Sequence, residues 1–188
     1  TIAVLLLTAA VSAQVAGPDA AFDRFWAAAD VREASERVGD VLRSGVSFDD
    51  AYRRLKQGRR YAVQKSGTTR LSNRTADGVE HFYSVTLPEH YDPSTKYQVR
   101  VQLHGGVMMR HTNVPPPTAG GIGALAGAEQ IYIVPFAWDA DAWWTDDQIL
   151  NLRAILDRAR RDYNVDENRV VLSGVSDGGT GAYYVSMR

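Results

Sequence analysis

The residues best suited to chemistry in this sequence are a serine between two glycines, Gly174-Val175-Ser176-Asp177-Gly178. The run follows a Val-Val-Leu stretch typical of a strand and precedes a segment typical of a helix. A serine hydroxyl is a weak nucleophile, so it must be presented close to a base and to N–H donors. A tight strand-to-helix turn presents it in this way, and Gly174 and Gly178 relieve the crowding of such a turn. A glycine-rich helix cap has the same pattern, but the strand and helix around it favour Ser176 as a nucleophile.

A second candidate element is the run His104-Gly105-Gly106, which directly follows a β-rich stretch. Two glycines leave the backbone N–H groups open to a negatively charged oxygen of a reacting substrate. The ring of His104 could act as a general base or could hold the loop through hydrogen bonds, and the structural role is favoured. Both candidate elements follow strands, and open α/β sheets bind ligands at the carboxyl ends of their strands.

The elements that must position these residues alternate between strands and helices. Residues 18–58 have helical spacing of apolar side chains. Strands are predicted over residues 61–64, 82–87, 97–103, 131–135 and 169–172. The polar stretch between the first of these strands and Gly78 is expected to be a loop. Helices are predicted over residues 120–128 and from the capping residue Thr145 to about Tyr163. This order predicts an α/β fold with a mostly parallel sheet covered by helices, preceded by a small helical segment.

The composition excludes several kinds of function. The chain has 188 residues, a net charge of −1 and no cysteine, so disulfides, thiolate metal sites and a cysteine nucleophile are excluded. The charge gives no reason to expect a nucleic acid partner. No dinucleotide or phosphate fingerprint appears, so no cofactor is predicted. The acidic cluster Asp139, Asp141, Asp146 and Asp147 does not follow the spacing of a calcium loop, so no metal is predicted either.

Three tryptophans, Trp138, Trp143 and Trp144, follow the strand at 131–135 and would lie near the candidate site. They could form an aromatic wall for a substrate, but packing of the loop is the favoured interpretation.

The N-terminal residues 1–13 are predicted to be a secretory signal that lacks its positively charged beginning. An apolar run leads to small residues at Val11-Ser12-Ala13, as a signal peptidase requires, and it is too short to span a bilayer. We therefore expect a secreted or periplasmic protein without a membrane span. A helical segment over 14–60 and an α/β domain over 61–188 would follow, and the oligomeric state stays open.

The order of these motifs resembles the α/β-hydrolase superfamily. The stretch from Tyr163 through Arg169 to Gly174, and Leu87-Pro88-Glu89-His90-Tyr91-Asp92, are similar to secreted polyhydroxybutyrate depolymerase-like and feruloyl esterase-like enzymes. Prolyl oligopeptidase-type hydrolases share much of this. The resemblance covers roughly residues 79–188, and its motifs are specific to the superfamily rather than to a substrate.

The resemblance implies roles for individual residues. Ser176 would be the nucleophile, and the oxyanion hole would use the backbone N–H of Asp177 and one from the region of Gly106 and Val107. Many relatives have a small or apolar residue at position 177, so the carboxylate of Asp177 is expected to point away from the oxyanion. His104 and Gly105 would support this loop.

The base and its acidic partner would follow the nucleophile in this superfamily. All four histidines precede Ser176, namely His81, His90, His104 and His111. We therefore expect the triad to be completed beyond residue 188 and the chain on its own to be inactive.

The function expected from these observations is hydrolysis of a small-molecule or polymeric carboxylic ester through an acyl-enzyme. Two alternatives stay open at this point. One is a serine peptidase of the prolyl oligopeptidase type, and the other is a non-catalytic binding module that has kept the hydrolase fold.

Overall fold

The structure is a computed structural model that describes residues 16–76, 78–107, 129–137 and 142–188. The chain divides into two compact units between Arg59 and Arg60. The signal predicted for residues 1–13, the helix predicted for 120–128, His111 and Trp138 lie outside the described residues.

The first unit contains three helices, α1 (Pro18–Ala27), α2 (Val31–Arg43) and α3 (Phe48–Gln57). Side chains cap two of them as the helix start signals require: Asp30 Oδ1 accepts from the Glu33 N–H at 2.8 Å, and Ser47 accepts from the Asp50 N–H. Gly58, with φ of 73°, ends α3. The helical spacing predicted over 18–58 is therefore confirmed as three short helices.

The second unit is a five-stranded sheet with two helices. The strands and helices are β1 (Gly67–Arg74), β2 (Glu80–Leu87), β3 (Tyr97–Leu103), β4 (Gln130–Pro135), α4 (Asp146–Asp162), β5 (Val165–Gly174) and α5 (Asp177–Val185). The strand order is β1-β2-β4-β3-β5. The pairings of β3 with β4 and with β5 are parallel, whereas β2 pairs antiparallel with both β1 and β4. The predicted α/β fold is confirmed, and its parallel part comprises β3, β4 and β5.

The core lies where the two central strands meet α4. Val99, Val101 and Leu103 on β3 and Ile131 and Ile133 on β4 are almost completely buried. These side chains pack in one cluster with the apolar face of α4. The two strands that carry or approach the candidate site, β3 and β5, are therefore fixed by parallel pairing and by this core.

The first strand of the sheet differs from the sequence prediction. Residues 61–64 form no strand, so that prediction was wrong; Tyr61 instead donates from its hydroxyl to the Arg160 carbonyl. The predicted polar loop after it contains β1, an edge strand in full antiparallel register with β2. Because most of β1 is exposed, its side chains are polar apart from Leu71 and give no apolar alternation.

Among the residues that the structure describes, no helix is both long and apolar enough to cross a membrane.

Candidate active site

Ser176 occupies the turn between β5 and α5, in a backbone conformation that residues other than glycine rarely adopt. Its φ is 53° and its ψ is −123°, and it is the one non-glycine residue with positive φ among the described residues. Such conformations cost of order 1–3 kcal/mol and persist where the surrounding structure enforces them. The turn leaves Ser176 exposed at the start of α5.

Two glycines enforce this turn by allowing backbone to touch backbone. A Cβ atom built on Gly174 would lie 2.0 Å from the carbonyl oxygen of Gly178. A Cβ on Gly178 would lie 2.1 Å from the carbonyl oxygen of Leu103, at the end of β3. Neither position has room for a side chain, so the close approach of α5 to β3 and β5 depends on both glycines.

The loop after β3 passes directly beside the serine. A Cβ on Gly105 would lie 2.9 Å from Ser176 Cβ and 3.5 Å from Ser176 Oγ. Gly106 has φ of 73°, the left-handed conformation that favours glycine. The residues 105–107, which contain the predicted oxyanion donors and which we call the oxyanion loop, therefore line Ser176 on one side.

The carboxylate of Asp177 accepts hydrogen bonds from this loop. Its Oδ2 lies 2.9 Å from the Gly106 nitrogen and 3.2 Å from the Val107 nitrogen. The expectation that this carboxylate points away from the oxyanion was wrong: it accepts from both N–H groups of the region that was predicted to supply one oxyanion donor. The main-chain N–H of Asp177 is in the first turn of α5, where N–H groups have no partner within the helix.

His104 is buried and holds the loop in place. Its Nε2 accepts from the Ala137 N–H at 2.9 Å, so Nδ1 carries the proton and donates to the Gly105 carbonyl at 2.8 Å. Burial lowers the pKa of His104 below its ordinary value near 6.5, outweighing its bond to the Gly105 backbone and the nearby Asp177. The ring is thus neutral and doubly hydrogen-bonded, which suits support of the loop rather than proton transfer.

Trp143 joins the loop to helix α5. Its Nε1 donates to the His104 carbonyl at 2.8 Å, and its ring meets the His104 ring edge-on. A Cβ on Gly181 would lie 2.3 Å from Trp143 Cβ, so α5 lies directly against this fully buried tryptophan. Gly181 was not among the predicted site residues; its position one turn after Gly178 is the signal in the sequence that could have identified it. Trp143 packs as expected, and Trp144 is partly exposed.

The described residues bring no base to the nucleophile. Ser176 Oγ makes no hydrogen bond within the described part of the chain, and His81 is buried against the Thr75 hydroxyl at 3.0 Å. The same part contains no group of three or more histidines or acidic residues that could hold a metal ion. What the described residues assemble is therefore an exposed serine in a strained turn, a neighbouring loop with two convergent N–H groups, and the side chains that support this loop.

No protein-family model and no curated protein matches the chain. Among solved structures, a thermostable esterase matches with a TM-score of 0.51 and 22% identity, over 64% of this chain and 37% of that one. Esterase Est2 of the Planctomycetes species Thermogutta terrifontis has a TM-score of 0.49 and 17% identity, over 62% of this chain and 42% of that one. A CE1 ferulic acid esterase from Anaeromyces mucronatus has a TM-score of 0.48 and 19% identity, over 70% of this chain and 57% of that one.

The chain thus spans between 37% and 57% of the length of these esterases. At this identity the likeness concerns the fold alone. The described part of the chain has the fold of the α/β-hydrolase-type esterases.

Proposed function

We propose that the whole protein is a serine hydrolase that cleaves carboxylic esters through an acyl-enzyme on Ser176. The observation that carries this proposal is the backbone of Ser176, the one positive φ of a non-glycine residue among the described residues, at an exposed strand-to-helix turn. A purely structural serine has no need of a strained turn enclosed by glycines that cannot be replaced without a clash.

The proposed reaction forms a bond between Ser176 Oγ and the ester carbonyl carbon while a base takes the hydroxyl proton. The carbonyl oxygen becomes an oxyanion, which would be bound by the N–H of Asp177 and by an N–H of the oxyanion loop. Collapse of this intermediate breaks the bond to the alcohol, which leaves with the proton from the base. Water then attacks the acyl-enzyme in the same way and releases the acid.

The base is proposed to be a histidine from outside the described residues, oriented by an acidic residue. His104 is a poor candidate because both of its ring nitrogens are hydrogen-bonded to the backbone. The proposal extends to export of the protein by the signal over residues 1–13, and to small-molecule or polymeric esters as substrates.

The test uses the full-length protein with p-nitrophenyl acetate and a fluorophosphonate that labels active serines. Ser176→Ala should lower kcat/KM by roughly a thousandfold or more and abolish labelling. Ser186→Ala is a matched control, because Ser186 lies at the end of α5 and bonds only to its own turn, through the Tyr183 carbonyl. Undiminished turnover by Ser176→Ala would refute the proposal.

Two further results of the same test separate the alternatives. Faster turnover of a peptide p-nitroanilide than of the ester would indicate a peptidase with the same nucleophile. Absence of both turnover and labelling in the intact wild-type protein would indicate a binding module.

A further inference from the structure

The oxyanion loop carries two successive N–H groups that converge on one acceptor. Gly106, with φ of 73°, lies between the two peptide groups and turns their N–H bonds to the same side. Such an arrangement, called a nest, forms a concavity that binds anions. Here the anion is the carboxylate of Asp177, which accepts from Gly106 N at 2.9 Å and from Val107 N at 3.2 Å.

We propose that Asp177 is a positioning residue for the ester hydrolysis proposed above, and that its carboxylate fixes the oxyanion loop against the start of α5. The inference rests on the proposed function and adds a role that the nucleophile motif does not require. One residue then serves the site twice, with its main-chain N–H as an oxyanion donor and its side chain as the anchor of the second donor.

The loop needs such an anchor because two of its three residues are glycines. Glycine loses more conformational freedom on ordering than any other residue, so a Gly-Gly segment does not hold its N–H groups in one direction by itself. His104 fixes the loop on its N-terminal side, through the Gly105 carbonyl. Asp177 fixes the opposite side, by bonds to an ionised acceptor, which are roughly twice as strong as neutral ones.

The proposal requires the anchor and a substrate oxygen to share the N–H groups of one loop. The Val107 contact is the longer of the two, and an N–H group is commonly shared between two acceptors. Asp177 is half-buried beside the exposed Ser176. In the proposal, the shorter Gly106 bond holds the loop, and the Val107 N–H, although Val107 is buried, is the donor shared with the substrate oxygen.

The test compares Asp177→Ala with Asp177→Asn in the full-length protein, using p-nitrophenyl acetate. Alanine removes the acceptor, so kcat should fall by roughly 10- to 100-fold while KM changes by less than about threefold. Asparagine keeps a side-chain oxygen in the same place but makes weaker, neutral bonds, so kcat should fall clearly less than in Asp177→Ala. Asp157→Ala is the control, because Asp157 is an exposed residue of α4 paired only with Arg160.

The outcomes separate this inference from the proposed function. If Ser176→Ala is inactive but Asp177→Ala has the wild-type kcat or a higher one, only the positioning role is overturned. A loss in Asp177→Asn as large as that in Asp177→Ala would also overturn it, since the amide keeps the acceptor. If Asp177→Ala fails to fold, Asp177→Glu replaces it in the test. Because glutamate moves the carboxylate by one methylene, kcat should fall while the melting temperature stays unchanged. An undiminished kcat in this variant would overturn the inference.

Discussion

Replacing Gly178 with alanine should destabilise the protein, whereas the same replacement at the next residue, Gly179, should not. Both glycines lie in the first turn of α5 and both would gain the same methyl group. Their surroundings differ. A Cβ on Gly178 would lie 2.1 Å from the Leu103 carbonyl oxygen and 2.8 Å from that of His104, whereas the nearest atom to a Cβ on Gly179 is 3.5 Å away.

The expected magnitude follows from these distances. Non-bonded atoms of this size prefer separations of about 3.5 Å, so α5 and the end of β3 would have to separate by roughly 1 Å. The obstructing atoms at Gly178 are main-chain atoms that cannot change rotamer, which places the cost at the upper end of the ~1–3 kcal/mol of ordinary overpacking. Alanine regains at most ~1 kcal/mol of helix propensity, so Gly178→Ala should lower the free energy of unfolding by about 2 kcal/mol. Gly179→Ala has no clash and should change it by less than ~1 kcal/mol in either direction.

Urea unfolding of the full-length variants, followed by circular dichroism, measures both values. The ester-hydrolysis rate at a temperature where all variants are folded gives a second readout, because a shift of α5 also displaces Ser176. Equal effects of the two substitutions on the free energy of unfolding would show that the close contact between α5 and β3 does not constrain the turn.

Two predictions concern the supports of the loop. The lowered pKa of His104 means that below pH 6.5 the unfolded chain binds a proton that the native ring does not. The free energy of unfolding should therefore fall as the pH drops from 6.5 toward the native pKa, and this ring should contribute nothing above pH 6.5. His104→Gln should weaken the dependence of the free energy of unfolding on pH. An unchanged dependence would contradict a buried neutral ring. Trp143→Phe removes the indole donor of the His104 carbonyl and leaves a gap where the larger ring was packed, so urea unfolding should show a loss of about 2–4 kcal/mol. Trp144→Phe should change it little, because Trp144 is partly exposed.

The sequence predicted the parts of the fold that depend on local pattern. The central strand β3 and the helix α4 have apolar periodicity and capping residues, and the structure has them at the predicted places. Strand β1 lacks this signal because it is exposed and is held partly by a polar contact, from Asn73 to the fully buried Asn151 of α4 at 2.9 Å. Because the two asparagines are 78 residues apart in the chain, their hydrogen bond cannot be recognised from the local sequence of either segment.

The candidate site was predictable to a similar degree. The turn at Ser176 and the loop at residues 105–107 each have a short motif in the sequence, and the structure has them side by side; their catalytic roles stay predictions. The contacts between the motifs could not be predicted from the sequence, because Asp177 meets Gly106 across 71 residues and Trp143 meets His104 across 39. These bonds arise where β3 and β5 end side by side, and only the sheet pairing reveals that.

The close contacts around the turn at Ser176 have consequences for how such a protein can diversify. At Gly174, Gly178 and Gly181 the neighbouring atoms leave no space for even one carbon, so the position of Ser176 is not adjustable by exchanging one side chain for another. Changes in the preferred substrate must then accumulate elsewhere, in segments that approach the serine from the solvent side. The turn should therefore stay constant among related active proteins while the segments that bind the substrate differ. Substitutions at these three glycines should be rare in such proteins.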